Sequence, residues 1–211
     1  QQAAQTRSVR DWFSRQLIKT TDNERRTLAR ELHDGLGQGL LSVKNLLSQM
    51  PHNPSRLNAV EQVKVLITDT RNLARNMHPQ QIENLGFTIA LETMLNETIV
   101  PAGLYLNLNL DDVQGVLNKQ AELHLFRIAQ EAATNSVRHA RANKVEVTLK
   151  VDNGEIQLMI CDDGIGIDAS NTTEGIGIFN MRERAAILGA KITIEQNESS
   201  GSCVQIITKS L

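Results

Sequence analysis

Ala29-Arg30-Glu31-Leu32-His33-Asp34-Gly35-Leu36-Gly37-Gln38, inside residues 24–49, is the stretch on which the fold of this chain turns. Leu28, Leu32, Leu36, Gly39, Val43, Leu46 and Met50 step by three or four residues, which lays one apolar stripe along a helix. His33 stands one residue off the stripe. A helix turns about 100° per residue, so the imidazole emerges beside the seam with a ring nitrogen free for solvent or a docked partner. Asp34 is its neighbour, and Gln38, four residues beyond Asp34, shares that residue's face. A His-Asp pair on an amphipathic helix is usually a solvated pair and nothing more. Gly35, Gly37 and Gly39 set this one apart, because each costs about 1 kcal/mol relative to Ala in a helix. A helix that must bend, or admit another backbone at a reactive face, gains from that cost.

Upstream, residues 1–23 read as a lead-in helix, with Val9, Phe13 and Leu17 at four-residue steps, continuing unbroken into the His33 helix. Downstream, Met50-Pro51-His52-Asn53-Pro54 makes a tight connection, and Ser55 is placed to cap the next helix. Val60, Val63, Ile67, Thr70, Ala74 and Met77 then alternate three and four apart, predicting a second helix antiparallel to the first. One hairpin has too little core to stand alone. Pairing two of them into a dimeric four-helix bundle satisfies both stripes. His78-Pro79 ends the second helix and puts a boundary near Gln80, giving a lead-in helix (1–23), a helical hairpin (24–79) and a second domain (80–211).

The second domain mixes periods. Helices are predicted over 85–100, 119–140 and from Gly177 through Leu188. Strands are predicted over 104–110, 144–151, 155–161, 191–196 and 203–208, with Asp152-Asn153-Gly154 marking a hairpin. Interleaving of this kind predicts an α+β sandwich, a mixed sheet with helices on one face.

Composition excludes several classes. The 211 residues carry a formal charge of -2 with both signs spread along the chain, so nothing argues for nucleic acid. Cys161 and Cys203 lack metal-ligand spacing and read as reduced, buried residues of a cytosolic protein, without a disulfide. No window approaches eighteen apolar residues and no basic-then-apolar leader opens the chain. The missing initiator Met implies a fragment whose upstream part could carry a membrane anchor.

Three clusters in the second domain suit a nucleoside triphosphate. Glu131 and Asn135 share a helix face and offer hard oxygen ligands for Mg²⁺, with Arg138 and His139 a turn later to meet phosphate or base. Asp162-Asp163-Gly164-Ile165-Gly166, at a strand end, offers the Asp162 carboxylate to an exocyclic amine, and glycines that let a ligand approach backbone. Gly175-Ile176-Gly177 precedes a helix whose first N–H groups suit phosphate. The polar segment 168–174 between the last two clusters reads as a lid. Each motif alone is common; their order and context make the nucleotide site.

Arg30-Glu31-Leu32-His33-Asp34 through Gln38 resembles the phosphoacceptor box of sensor histidine kinases, in the subfamily that serves NarL-type response regulators. Met77-His78-Pro79 with Leu85-Gly86-Phe87 resembles that subfamily's domain junction. Gln130 to Ala140 resembles its N box, Asp162 to Gly166 its G1 box and Gly175 to Ala185 its G2 box. The resemblance implies a homodimer in which His33 attacks the γ-phosphate of ATP and Asp34 holds the other ring nitrogen, after which the phosphoryl group passes to a regulator aspartate. It further implies that Gln38 orients water for dephosphorylating the regulator, that Asn135 ligates Mg²⁺ and that Asp162 reads adenine. Glu131 either orients the metal shell or, as in gyrase- and Hsp90-type ATPases, activates water. The implied location is the cytoplasmic part of a membrane-anchored sensor, touching the membrane only through a missing upstream part. A gyrase- or Hsp90-like ATPase would explain the nucleotide clusters and leave the His33 helix without purpose. A non-catalytic dimeric signalling module would require a decayed site, and Asn135, Asp162 and both glycine pairs are intact.

Overall fold

The computed structural model describes residues 2–77, 79–166, 175–197 and 200–209. The expected lid over 168–174 and the junction residue His78 lie outside these. Contacts divide the chain into two units, one of residues 16–80 and one of residues 1–15 with 81–211.

Helix α1 (Gln2–Glu31) passes into a π-helical turn (Leu32–Gly37) and then α2 (Gln38–Gln49). The expected continuous α-helix is thus interrupted at the glycine-rich stretch. Low helix propensity there lets the backbone widen, and π turns of this kind often mark functional positions. Gly35 and Gly39 face open space. After the turn, α3 (Pro54–Met77) runs antiparallel to α2. Its N-terminus is capped by Asn53, whose Oδ1 accepts the Arg56 N–H at 2.8 Å, and not by Ser55. Pro54 is the reason: its fixed φ and missing N–H suit the first helical position, moving the cap two residues earlier, from Ser55 to Asn53.

The hairpin seam also differs from expectation. On α3 the expected stripe is the inner one: Val63, Ile67 and Ala74 are buried, and Val60, Thr70 and Met77 half-buried. On the first helix the inner positions are Leu40, Leu41, Lys44 and Leu47, all half-buried, while the stripe read from the sequence points outward, with Leu36 56% and Leu46 62% exposed. Leu57, Val65, Leu66 and Leu73 do likewise on α3. Periodicity gives the face a residue occupies, not which of two apolar faces meets the nearest neighbour.

In the second unit come α4 (Gln80–Leu85), α5 (Phe87–Ile99), β1 (Tyr105–Leu110), α6 (Lys119–Arg138), β2 (Lys144–Asp152), β3 (Glu155–Asp162), α7 (Ile176–Ile187), β4 (Lys191–Gln196) and β5 (Ser202–Lys209). The single helix expected over 85–100 starts only at Phe87, because Gly86 takes φ +83° and separates it from α4. The sheet order is β1-β2-β3-β5-β4. β1 and β2 are parallel, joined through α6, and the other pairs are antiparallel, so the sheet is mixed as expected. Asn153 (φ +50°) and Gly154 (φ +78°) form the β2–β3 turn.

Strand alternation puts Ile156, Leu158, Ile160, Val204 and Ile206 on the buried face, against Phe87, Leu91, Leu95, Leu125, Ile128 and Met181 of the helices. Burying each such large side chain contributes about 1.5–3 kcal/mol, which fixes β3 and α6 against each other. The opposite face carries Cys161 and Cys203, register partners on β3 and β5. They are half-buried and joined by a disulfide, with Cα atoms 4.1 Å apart, against the expectation of buried reduced thiols. Adjacency of β3 and β5 across 42 residues of sequence brings them together, and no local spacing reveals it.

Candidate functional sites

Helix α6 begins at Asn118, whose side chain accepts the Ala121 N–H at 2.9 Å, and its apolar face packs on the sheet. That docking turns Glu131, Asn135 and His139, spaced four apart, towards one cavity of about 410 Å³. Asp162 at the end of β3, Gly166, and Gly175 and Gly177 at the start of α7 also line it, with Ile160, Met181, Ile194 and Val204 forming an apolar wall. A flat base has an apolar slot there, and polar groups stand at its edges.

Arg138 and Gly164, also expected at the site, are not in its lining. Arg138 precedes His139 and is carried about 100° around α6, where it is exposed. Gly164 is needed for packing: a Cβ there would overlap the Ala140 carbonyl. Gly177 rests against the Glu131 carboxylate, so a side chain there would displace the end of the Glu131 side chain from its place.

Asp162 is 4% exposed and its carboxylate is fully engaged. Oδ1 accepts the backbone N–H groups of Gly164 (3.0 Å) and Ser202 (3.1 Å). Oδ2 faces two hydroxyls, Ser202 Oγ at 2.7 Å and Ser136 Oγ at 3.1 Å. Ser136 Oγ is also 3.2 Å from the Ala132 carbonyl, and one hydroxyl proton cannot serve both. When that proton turns to Ala132, a lone pair on Oδ2 opens towards the cavity. Ser136 and Ser202 were not singled out from the sequence. Ser136 lies one residue past Asn135 on the cavity face of α6, whereas Ser202 reaches Asp162 only through the β3–β5 pairing. Asp163 secures the same turn: its Oδ1 accepts the N–H groups of Lys144 (2.9 Å) and Asn143 (2.8 Å), and these bonds hold its carboxyl below the usual carboxylate range.

Asn135 and Glu131 offer an amide oxygen and a carboxylate at the cavity edge, a donor set that fits a magnesium ion. Among the described residues no three His, Cys, Asp or Glu side chains gather to hold a metal by themselves. Phosphate and water oxygens would have to complete such a shell.

In the hairpin unit, His33 Nδ1 lies 2.9 Å from Asp34 Oδ1, with the two side chains 54% and 73% exposed. An ionised carboxylate only accepts, so Nδ1 is the donor, and in the neutral ring Nε2 keeps its lone pair. His33 borders a small cleft with Gly37, Gln38 and Leu41, closed on the other side by Thr70 and Arg71 of α3.

Residues 120–210 match the histidine kinase-, DNA gyrase B- and HSP90-like ATPase family. Residues 120–210 of the second unit are therefore a domain of that family. Residues 24–82 match a histidine kinase family, and the chain belongs to the sensor histidine kinases. It is 30% identical to the sensor histidine kinase MctS of Rhizobium johnstonii, over 94% of this chain and 46% of MctS. It is 26% identical to the oxygen sensor histidine kinase NreB of Staphylococcus carnosus, over 90% of this chain and 57% of NreB. Identity is 28% to the signal transduction histidine-protein kinase/phosphatase UhpB of Salmonella typhimurium, over 86% of this chain and 38% of UhpB. The chain thus spans about half the length, or less, of these curated relatives. Among solved structures, the histidine kinase domain of the Erythrobacter litoralis EL346 blue-light activated histidine kinase shares the fold, with a TM-score of 0.58 at 16% identity over 87% of this chain and 94% of that one. No described helix is long and apolar enough to cross a membrane.

Proposed function

We propose that this chain is the catalytic core of a two-component sensor kinase that phosphorylates itself on His33 from ATP, passes the phosphoryl group to an aspartate of a NarL-type response regulator, and dephosphorylates that regulator. The observation that carries this reading is the His33–Asp34 contact of 2.9 Å, which in the neutral ring places the proton on Nδ1 and directs the Nε2 lone pair to an open cleft. In the forward step the Nε2 lone pair forms a bond to the γ-phosphorus as the bond from that phosphorus to the β,γ-bridging oxygen breaks, and the electron pair leaves with ADP. No proton need move. The Nδ1–H remains on the ring, and Asp34 stabilises the positive charge the imidazole acquires.

In this reading residues 24–79 are the phosphoacceptor and dimerisation hairpin and 80–211 the ATP-binding domain, with 1–23 leading in; the family matches at 24–82 and 120–210 support the division. Asp162 accepts the adenine amine through the lone pair that Ser136 can release. Asn135 holds Mg²⁺ with Glu131 orienting its water shell, and His139 stands at the polar edge where phosphate or base passes. The ion supplies charge neutralisation for the phosphates. Gly166, Gly175 and Gly177 leave the backbone open to the nucleotide. Gln38 carries no charge, and its amide positions water against the regulator's phosphoaspartate. The outward stripe of Leu28, Leu36, Val43, Leu46 and Met50 supports a homodimer built as a four-helix bundle. The chain would act on the cytoplasmic side of a membrane-anchored sensor. A gyrase-like ATPase leaves the His33–Asp34 pair idle.

The deciding experiment incubates the protein with γ-labelled ATP and Mg²⁺. Acid-labile label is expected on the wild type and none on His33→Gln, which still binds nucleotide. Residual acid-labile label on His33→Gln would overturn the assignment.

A further inference from the structure

Phosphorylated His33 presents a charge problem. A phosphoryl group on Nε2 brings about two negative charges to a ring whose other nitrogen already faces the Asp34 carboxylate, and like charges so close repel. A cation in the wall of the cleft would relieve this. We infer that Arg71 is the phosphoryl-binding cation of the His33 site, a role that rests on the kinase reading above.

Three observations converge on it. Of the six residues lining the cleft, Arg71 alone carries a permanent positive charge. Thr70 beside it is committed, its hydroxyl donating to the Leu66 carbonyl at 2.8 Å, and Leu41 and Gly37 supply only shape. Second, the hairpin's own geometry puts Arg71 level with His33. The π-helical turn that carries His33 packs against α3, and the two residues line one cleft although they stand nineteen residues on either side of His52 in the connection. Third, Arg71 is uncommitted. Lys64 pairs with Glu61 at 3.1 Å and Arg56 donates to the Ser48 carbonyl at 3.1 Å, whereas no described residue engages the Arg71 guanidinium.

An exposed, unpaired guanidinium across a cleft from the nucleophile is suited to phosphate, whose oxygens match its fork of N–H donors. It takes no proton and forms no covalent bond. It receives the oxygens of the phosphoryl group as the N–P bond forms, offsets the Asp34 carboxylate while phosphohistidine persists, and lies beside Gln38 when the regulator's phosphoaspartate is in place.

The test compares the full chain with Arg71→Gln and Arg71→Lys in single-turnover labelling with γ-labelled ATP and Mg²⁺ over a range of ATP concentrations. Losing one charged hydrogen bond in the transition state lowers the limiting rate of Arg71→Gln by about tenfold or more. The ATP concentration at half-maximal rate stays within about twofold, since Arg71 belongs to the hairpin and not to the lining of the nucleotide cavity. Arg71→Lys restores most of the rate, because it restores the charge. Salt-dependent shortening of the phosphohistidine lifetime in Arg71→Gln, absent from Arg71→Lys, would report the same contact after transfer. A limiting rate for Arg71→Gln within twofold of wild type overturns the inference. So does an Arg71→Lys chain as slow as Arg71→Gln, which would make the residue one of shape. If the wild-type chain takes no acid-labile label at all, the kinase reading itself fails and the inference falls with it.

Discussion

Replacing Asp162 by Asn changes one atom in the floor of the nucleotide cavity, and the surrounding hydrogen bonds dictate how the new side chain sits. The two donors on Oδ1 are backbone N–H groups that cannot become acceptors, so the amide oxygen must take that place. The amide nitrogen then occupies the Oδ2 place, giving one N–H to the Ser202 hydroxyl, which can rotate to accept it, and leaving the other for the cavity while Ser136 keeps its bond to the Ala132 carbonyl. Folding therefore survives. The cavity loses the acceptor aimed at an exocyclic amine and gains a donor facing it. A hydrogen bond to a charged partner is worth about 1.5–3 kcal/mol, and at about 1.4 kcal/mol per factor of ten the variant should bind ATP about 10- to 150-fold more weakly. The same donor suits a base with a carbonyl at that position, so binding of the inosine nucleotide should hold or improve. Calorimetric titration of wild type and variant with non-hydrolysable ATP and ITP analogues measures this, alongside thermal melts. Wild-type affinity of Asp162→Asn for the ATP analogue, or equal losses for both bases, would refute the placement of adenine against Asp162.

Gln38→Ala is expected to keep autophosphorylation within a few-fold while slowing dephosphorylation of the regulator, and Asp34→Ala to lose the kinase reaction; paired time courses with the cognate regulator decide, and equal loss in both would make Gln38 part of the phosphoacceptor geometry. The chain is expected to sediment as a dimer, with Leu36→Lys/Leu46→Lys shifting it to monomer, since both positions sit on the outward stripe; a monomeric wild type at micromolar concentration would remove the four-helix bundle. Asp163 titrates below the usual carboxylate value in the fold because Lys144 and Asn143 N–H groups favour its charged form. The unfolded chain binds that proton more readily, so the group's stabilisation is full above about pH 3.9 and is lost as pH falls through the lower folded value. Asp163→Asn keeps an acceptor without titrating, so its acid melting profile should be flatter; parallel profiles would count against those bonds.

The order of helices and strands in the second unit was legible because each segment has a clean period and a clear stop: Asn153-Gly154 for the hairpin, Lys191–Gln196 for a strand, Lys119 for the start of α6. Glu131, Asn135 and His139 could be grouped in advance, since a four-residue step on one helix is a local quantity. Three things were beyond local pattern. The outward turn of the Leu36–Leu46 stripe depends on which of two apolar faces meets α3, and only packing chooses. Removal of Arg138 from the cavity wall depends on how α6 rotates as its apolar face docks on the sheet, and that of Gly164 on the packing of the turn after β3 against the Ala140 carbonyl. The engagement of Asp162 by Ser202 and the Cys161–Cys203 disulfide both follow from β5 inserting beside β3, ahead of β4. Sequence alone determined which residues can do chemistry, because residue type and helical spacing are local. Tertiary structure decided which of them meet, because strand order and helix rotation are set by burying one apolar face against another across tens of residues.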